Sequence, residues 1–224
     1  MFVAQFFKTV TVVAALSCAG IAARAETFSV QLGSRQLGEL TYSGGSAASL
    51  RSTLNNTPLG VFNGTFAASV EPTSAGTQYR SSSRSSRKTR DINVLFDGGR
   101  AVDAVVTPAN EMTDLSNVGS VPAGVVDPVS AFGRFVSASG GCPEAFRFYD
   151  GRRAILVQPA AESEVAGQLV CKMNYRVSDG PRHLSPLYIK NVSIALTYDV
   201  TGGQSLRKVV LSAAGFDLFL MRQG

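Results

Sequence analysis

The sequence predicts a mainly β domain: one strongly curved antiparallel sheet, an open or half barrel, carrying a single short helix. Three observations predict it. Apolar and polar residues alternate with period two along nearly the whole chain after its first 25 residues, the mark of strands with one buried and one wet face. Asp-Gly pairs stand between several of these runs, a strong short hairpin signal. The runs number roughly ten or more, and a single sheet of that size must curl, split or close.

Phe28, Val30 and Leu32 point one way and Ser29 and Gln31 the other; Leu40 and Tyr42 repeat the pattern beyond a Gly33-Ser34 turn. The same alternation runs through residues 62–70, Ile92-Val94-Phe96, Val102-Ala104-Val106 and Ile194-Leu196-Tyr198-Val200. In Leu169-Cys171-Met173-Tyr175-Val177 the cysteine lies on the apolar face. Asp97-Gly98-Gly99, Asp150-Gly151 and Thr201-Gly202-Gly203 supply turns.

Two stretches break the pattern. Residues 107–126 are Pro- and Gly-punctuated and too long for an ordinary hairpin loop. They lead to Asp127-Pro128-Val129, where Asp127 is placed to cap a helix and Pro128 to open it. Val129, Phe132, Phe135 and Val136 then share one helical face, and Gly140-Gly141 ends the element.

The first residues read as a cleavable export signal. Lys8 supplies the positive end, residues 9–21 an apolar core, and Ala23-Arg24-Ala25 a small-x-small site, so cleavage is expected between Ala25 and Glu26. The core is shorter than the ~20 residues a spanning helix needs. Ala15-Leu16-Ser17-Cys18 matches a lipoprotein acylation site only loosely, which makes anchoring through Cys18 the lesser alternative to a free periplasmic protein. Residues 26–224 then form one domain. Losing Lys8 and Arg24 lowers the net charge from +5 to +3, too modest an excess to argue for nucleic acid. Of three cysteines, Cys142 and Cys171 remain. An even pair in an oxidising compartment predicts a disulfide, contributing roughly 3–4 kcal/mol by constraining the unfolded chain. Zinc is the competing reading, but two cysteines without CxxC spacing and one remote histidine make a poor ligand set.

Catalytic signals are sparse. There is no phosphate-binding glycine loop and no dinucleotide fingerprint. His183, the single histidine, sits in a turn-like stretch and reads as an exposed loop residue. Asp103, Glu111, Asp114, Asp127 and Asp150 could in principle supply a carboxylate pair, but no spacing singles any of them out. No cofactor is expected. The most distinctive polar feature is a basic run, Arg80, Arg84, Arg87, Lys88 and Arg90, interleaved with serines. It could meet an anionic partner such as lipid headgroups or lipopolysaccharide. The plainer reading, which we favour, is a solvated hairpin whose like charges discourage edge pairing.

Asp127-Pro128-Val129-Ser130-Ala131-Phe132, Cys142, Phe148-Tyr149-Asp150-Gly151-Arg152-Arg153 and Cys171 occur in that order. This series resembles the exported bacterial proteins grouped as domain of unknown function 3108, with Val129 where leucine is usual. The resemblance implies a periplasmic protein with a curved antiparallel sheet. It also suggests a likeness to the open barrels of lipoprotein carriers, in which a bent sheet wraps a hydrophobic cavity and a short helix covers the mouth.

The expected function is a non-catalytic binding or carrier module, holding an apolar or lipid ligand between the sheet and a lid formed by Val129, Phe132, Phe135 and Val136. The alternative is a structural or assembly factor of the cell envelope, working through protein or glycolipid contacts along the basic strip.

Overall fold

The computed structural model describes residues 25–55, 63–86, 88–183 and 189–224. The predicted export signal, with Lys8 and Cys18, lies outside the described residues apart from Ala25, and so does Arg87. Seven strands form the first arm of the sheet: β1 (Ala25–Leu32), β2 (Arg35–Ser43), β3 (Ser49–Leu54), β4 (Gly64–Thr73), β5 (Gly76–Ser85), β6 (Thr89–Asp97) and β7 (Arg100–Thr107). The second arm holds β8 (Val125–Val126), β9 (Phe146–Tyr149), β10 (Ala154–Val165), β11 (Gln168–Asp179), β12 (Asn191–Asp199), β13 (Ser205–Ala213) and β14 (Phe216–Arg222). Apart from β8, each arm is a run of strands that pair antiparallel with their neighbours in sequence, and the arms join where β1 pairs with β14, Val30 opposite Leu220. The result is one 14-stranded sheet, curled into a nearly closed barrel.

The expected turns are found in place. Gly98 and Gly99, both with positive φ, carry the chain from β6 to β7, as a tight hairpin turn requires. Two departures from the expected pattern have local causes. Among the named strands, the pairings are antiparallel except β8 with β9, which is parallel. Val102, expected to face inward, is instead exposed, because Phe96 pairs with Ala101 while Leu95 pairs with Asp103. Val102 is thus the extra residue of a bulge that sends its side chain outward.

Residues 108–124 contain three short 3-10 turns, Ala109–Glu111, Asp114–Ser116 and Val118–Ser120. They lie along β7 and fill the seam between the first and last strands of the sheet. At the seam's end the backbone N–H groups of Gly124 and Val125 both donate to the Gly99 carbonyl, at 2.9 and 3.0 Å.

The one α-helix among the described residues, α1 (Pro128–Val136), begins as expected: Asp127 accepts from the N–H groups of Val129 and Ser130 at 2.8 and 2.9 Å, and Pro128 holds the first turn. Its position differs from the lid the sequence suggested. It contacts β4, β9 and β13, which belong to well-separated arcs of the sheet, so it lies inside the barrel. Val129 is fully buried, and Phe135 nearly so. Phe132 meets Phe28 and Tyr42 with ring centroids 5.8 and 5.5 Å apart, and Phe135 meets Phe146 at 5.6 Å. These rings touch the sheet directly where a ligand layer was expected. Phe132 and Val136 also bridge the two apolar clusters of the interior, one beneath each arm. The helix fits because Gly133 faces Tyr42, where an added Cβ would stand 2.5 Å from the phenolic oxygen.

Cys142 and Cys171 form the expected disulfide, with Cα atoms 5.5 Å apart. It ties the segment leaving α1 to β11. From the next strand the buried Tyr198 hydroxyl donates to the Phe135 carbonyl at 2.8 Å, satisfying one of the helix's terminal acceptors. Both ends of the helix are therefore anchored.

Candidate binding cleft at the barrel mouth

Strand register builds the site. Across the inner face of the first arm, Leu40 stands opposite Ser52, Ser52 opposite Phe66, Phe66 opposite Ser83, and Ser83 opposite Arg90. A second row toward the rim runs Leu54, Gly64, Ser85. Small side chains and a glycine near the strand ends leave the interior unfilled there. The space is an open cleft of about 360 Å³. Leu54 and Phe66 floor it and continue into the two apolar clusters. Ser52, Ser83 and Ser85 contribute hydroxyls, and Lys88 and Arg90 stand along one side. Lys88 also borders an adjoining depression with Thr107, Pro108 and Glu111. None of Val129, Phe132, Phe135 and Val136 lines either space.

The basic strip does not act as a unit. Arg80 and Arg84 occupy the outer face of β5. Arg80 pairs with Glu71 across the hairpin at 3.1 Å, and Arg84 with Asp91 at 2.8 Å; such exposed pairs contribute little. Lys88 and Arg90 instead turn toward Glu111, which ion-pairs with both and with Arg152 at 3.2 Å. Arg90 Nε donates to Glu111 Oε2 at 3.0 Å. Burial disfavours ionisation of Glu111, but the Lys88 and Arg90 hydrogen bonds and the charges of Arg90 and Arg152 prevail, holding the carboxyl below its ordinary range. It is an ion-pair carboxylate, unsuited to giving up a proton at neutral pH.

Residues 150–153 explain themselves here as a latch for the seam. Asp150 Oδ1 accepts from the N–H groups of Arg152 and Arg153, both at 2.9 Å, shaping the turn. Gly151 has φ +93°, and a Cβ there would stand 2.4 Å from Ile92 Cγ2. The turn then grips residues 111–116. Arg152 Nε donates to the Glu111 carbonyl at 2.5 Å, Thr113 Oγ1 to the Arg152 carbonyl at 2.7 Å, and Ser116 Oγ to the Gly151 carbonyl at 3.0 Å. Tyr149 donates to the Leu115 carbonyl at 2.5 Å.

His183, expected as an exposed loop residue, is part-buried and bonded on both ring nitrogens. Arg153 Nη1 lies 2.6 Å from Nδ1, and the Tyr175 hydroxyl 2.5 Å from Nε2. A guanidinium only donates, so Nδ1 accepts and the ring is the neutral Nε2–H tautomer. Arg153 Nε, in turn, stands 3.1 Å from Asp150 Oδ2 as an ion pair without hydrogen-bond alignment. Burial first, and the Arg153 charge second, push the imidazole down to about 4. Its contribution to stability is accordingly full above the ordinary value of 6.5 and lost as pH falls toward 4. Because there is one histidine in the chain, a proton NMR titration reads it without ambiguity. The expected midpoint is near 4; a midpoint near 6.5 would contradict this environment.

Among the described residues, no group of three or more His, Cys, Asp and Glu side chains comes together as a metal-ligand set, and no helix is long and apolar enough to cross a membrane. Sequence reasoning missed the cleft. Its signal was present in Tyr79-Ser81-Ser83-Ser85, which places serines on the face Tyr79 buries.

Fold and cleft together define a barrel-like β protein with a helix inside its sheet and a mouth that is part apolar, part basic. The chain belongs to the family described as protein of unknown function (DUF3108), whose model matches residues 27–168. The match takes in residues 127–132, Cys142 and residues 150–153, and stops short of Cys171. The crystal structure of a beta-barrel-like protein of domain of unknown function DUF1849 from Brucella abortus is similar, with a TM-score of 0.48, 10% sequence identity, and coverage of 89% of this chain and 94% of that one. No curated protein matches the chain.

Proposed function

We propose that this protein is a non-catalytic binding or carrier module, exported to the periplasm, that holds an apolar or lipid ligand in the cleft at the barrel mouth. The observation that carries the reading is the cleft itself. At about 360 Å³ it lies within the ~300–1,000 Å³ range of small-molecule sites, and Leu54 and Phe66 offer it an apolar floor continuous with the core. The Cys142–Cys171 bridge supports an oxidising compartment. The ligand's place moves from the face of α1 to the strand ends of the first arm.

The test is uptake of a fluorescent apolar dye by the disulfide-bonded protein, with Phe66→Glu as control. Saturable uptake, weakened at least about tenfold by a charge on the cleft floor, is expected. No uptake, or uptake indifferent to Phe66→Glu, would remove the reading.

A second reading, a structural or assembly factor of the cell envelope, is favoured by one observation. Val102 and Val105 on β7 remain 45% and 50% exposed, close to the seam, an apolar surface that a partner could cover. Loss of an envelope partner in pull-downs with Val102→Ser/Val105→Ser, with dye uptake unchanged, would select it.

A further inference from the structure

The cleft is chemically polarised along one row of residues. Phe66, Ser83 and Arg90 follow one another across β4, β5 and β6, running from apolar through hydroxyl to cation. Lys88 and Arg90, at the cationic end, line the cleft and share the Glu111 carboxylate with Arg152. Three cations around one carboxylate leave two positive charges locally uncompensated. Arg152 is the member committed to structure, since its Nε also holds the Glu111 backbone carbonyl. The other two face the open space. Lys88 keeps 55% of its side chain exposed, and Arg90 engages Glu111 through Nε and one Nη of its five N–H donors.

We propose that the cleft selects an anionic amphiphile, its carboxylate or phosphate head seated by Lys88 and Arg90 beside Glu111 and its apolar tail lying on Phe66 and Leu54. This rests on the binding reading above and names its ligand class. Glu111 holds the two cations in place in the empty cleft and keeps their charge from being fully exposed. The incoming head takes up the charge that Glu111 leaves unbalanced, with the Ser83 hydroxyl within the same row as a further donor. Charge-assisted cation–anion contacts of this kind are the strong class of hydrogen bond.

The experiment is competition against the bound apolar dye by palmitate, hexadecyl phosphate and cetyl alcohol, whose chains match in length, on the full disulfide-bonded protein. Both anions are expected to displace the dye about tenfold more tightly than the alcohol, the worth of one charge-assisted hydrogen bond. The order of palmitate and hexadecyl phosphate reports whether carboxylate or phosphate is the preferred head. In Lys88→Gln/Arg90→Gln the preference, read as the ratio of anion to alcohol affinity, should fall to near unity. Because Arg90 is only 20% exposed and holds Glu111 through two donors, Lys88→Gln alone, at a side chain 55% exposed, serves as the variant that keeps the fold. It should lose about threefold of the preference, half the logarithmic effect expected if two similar charge contacts share it. Equal affinity for anions and alcohol in the native protein, or a preference that survives in both variants, would overturn the head-group assignment and leave apolar binding intact. Failure of all three competitors, with no dye uptake, would instead remove the binding reading beneath it.

Discussion

Replacing Phe135 by Ala is expected to destabilise the protein by about 3–5 kcal/mol, the range for emptying a buried aromatic site. Phe135 is nearly fully buried, packed against Phe132 and Phe146 with ring centroids 6.4 and 5.6 Å apart. The cavity cannot collapse easily. The helix is held from outside by the Cys142–Cys171 bridge, by the Tyr198 bond to the Phe135 carbonyl and by the Asp127 cap. Urea unfolding of the disulfide-bonded protein reads the effect as a shift of midpoint at unchanged slope. A loss below about 1 kcal/mol, the level of a typical surface-tolerant change, would mean that Phe135 faces removable space and not packed neighbours.

Glu111→Ala should cost about 3 kcal/mol, and the cost should be localised. Removing the carboxylate strands Arg90 and Arg152, whose side chains are only 20% and 13% exposed, and breaking a buried pair from one side is more damaging than never having it. Amide hydrogen exchange should accelerate first in residues 108–124, where the turns rest on bonds such as Glu111 N–H to the Pro108 carbonyl and Ser116 N–H to the Thr113 carbonyl. Glu111→Gln keeps an acceptor and should lie between. The same latch carries a pH dependence. Since Glu111 is held below the ordinary carboxylate value of 4.5, its contribution is full above that value and disappears as pH falls through the lowered one. Unchanged protection of 108–124 in Glu111→Ala would show that the Thr113, Ser116 and Tyr149 bonds close the seam unaided.

Much of the fold was legible because its determinants are local. Period-two alternation marked the inward faces of β1, β6, β11 and β12, and Asp127-Pro128 marked the start of α1. What escaped is what local patterns do not encode. Alternation told that Phe132 and Phe135 face something apolar, but a lid and a central plug have the same helical face. Only the arcs that α1 touches distinguish them. Val102 broke its alternation because a bulge depends on the partner strand, not on β7. Glu111 looked like one carboxylate among several, since the cations that define it are 21 residues before it at Arg90 and 41 after it at Arg152. The cleft is a property of register across four strands. The basic run was conspicuous in sequence, yet the fold divides it, spending Arg80 and Arg84 on surface pairs and gathering Lys88 and Arg90 at the mouth.

The pairing of β1 with β14 sets the order in which this barrel can come into being. Its two arms are built mostly from pairings between neighbours in sequence, but the joint between them unites β1 with β14, 192 residues away at Ser29, the longest-range pairing among the described strands. Until β14 arrives, β1 keeps one edge unsatisfied and two half-sheets lie open, with the apolar face of α1 uncovered between them. Completion is therefore a late, long-range event, the kind that slows folding and lengthens exposure to aggregation. The same joint brings the ends of the sheet's path together, with Gln223 N–H donating to the Thr27 carbonyl at 2.8 Å. A circular permutant linked there and opened in the β7–β8 seam would turn the slowest contact of the barrel into a local one.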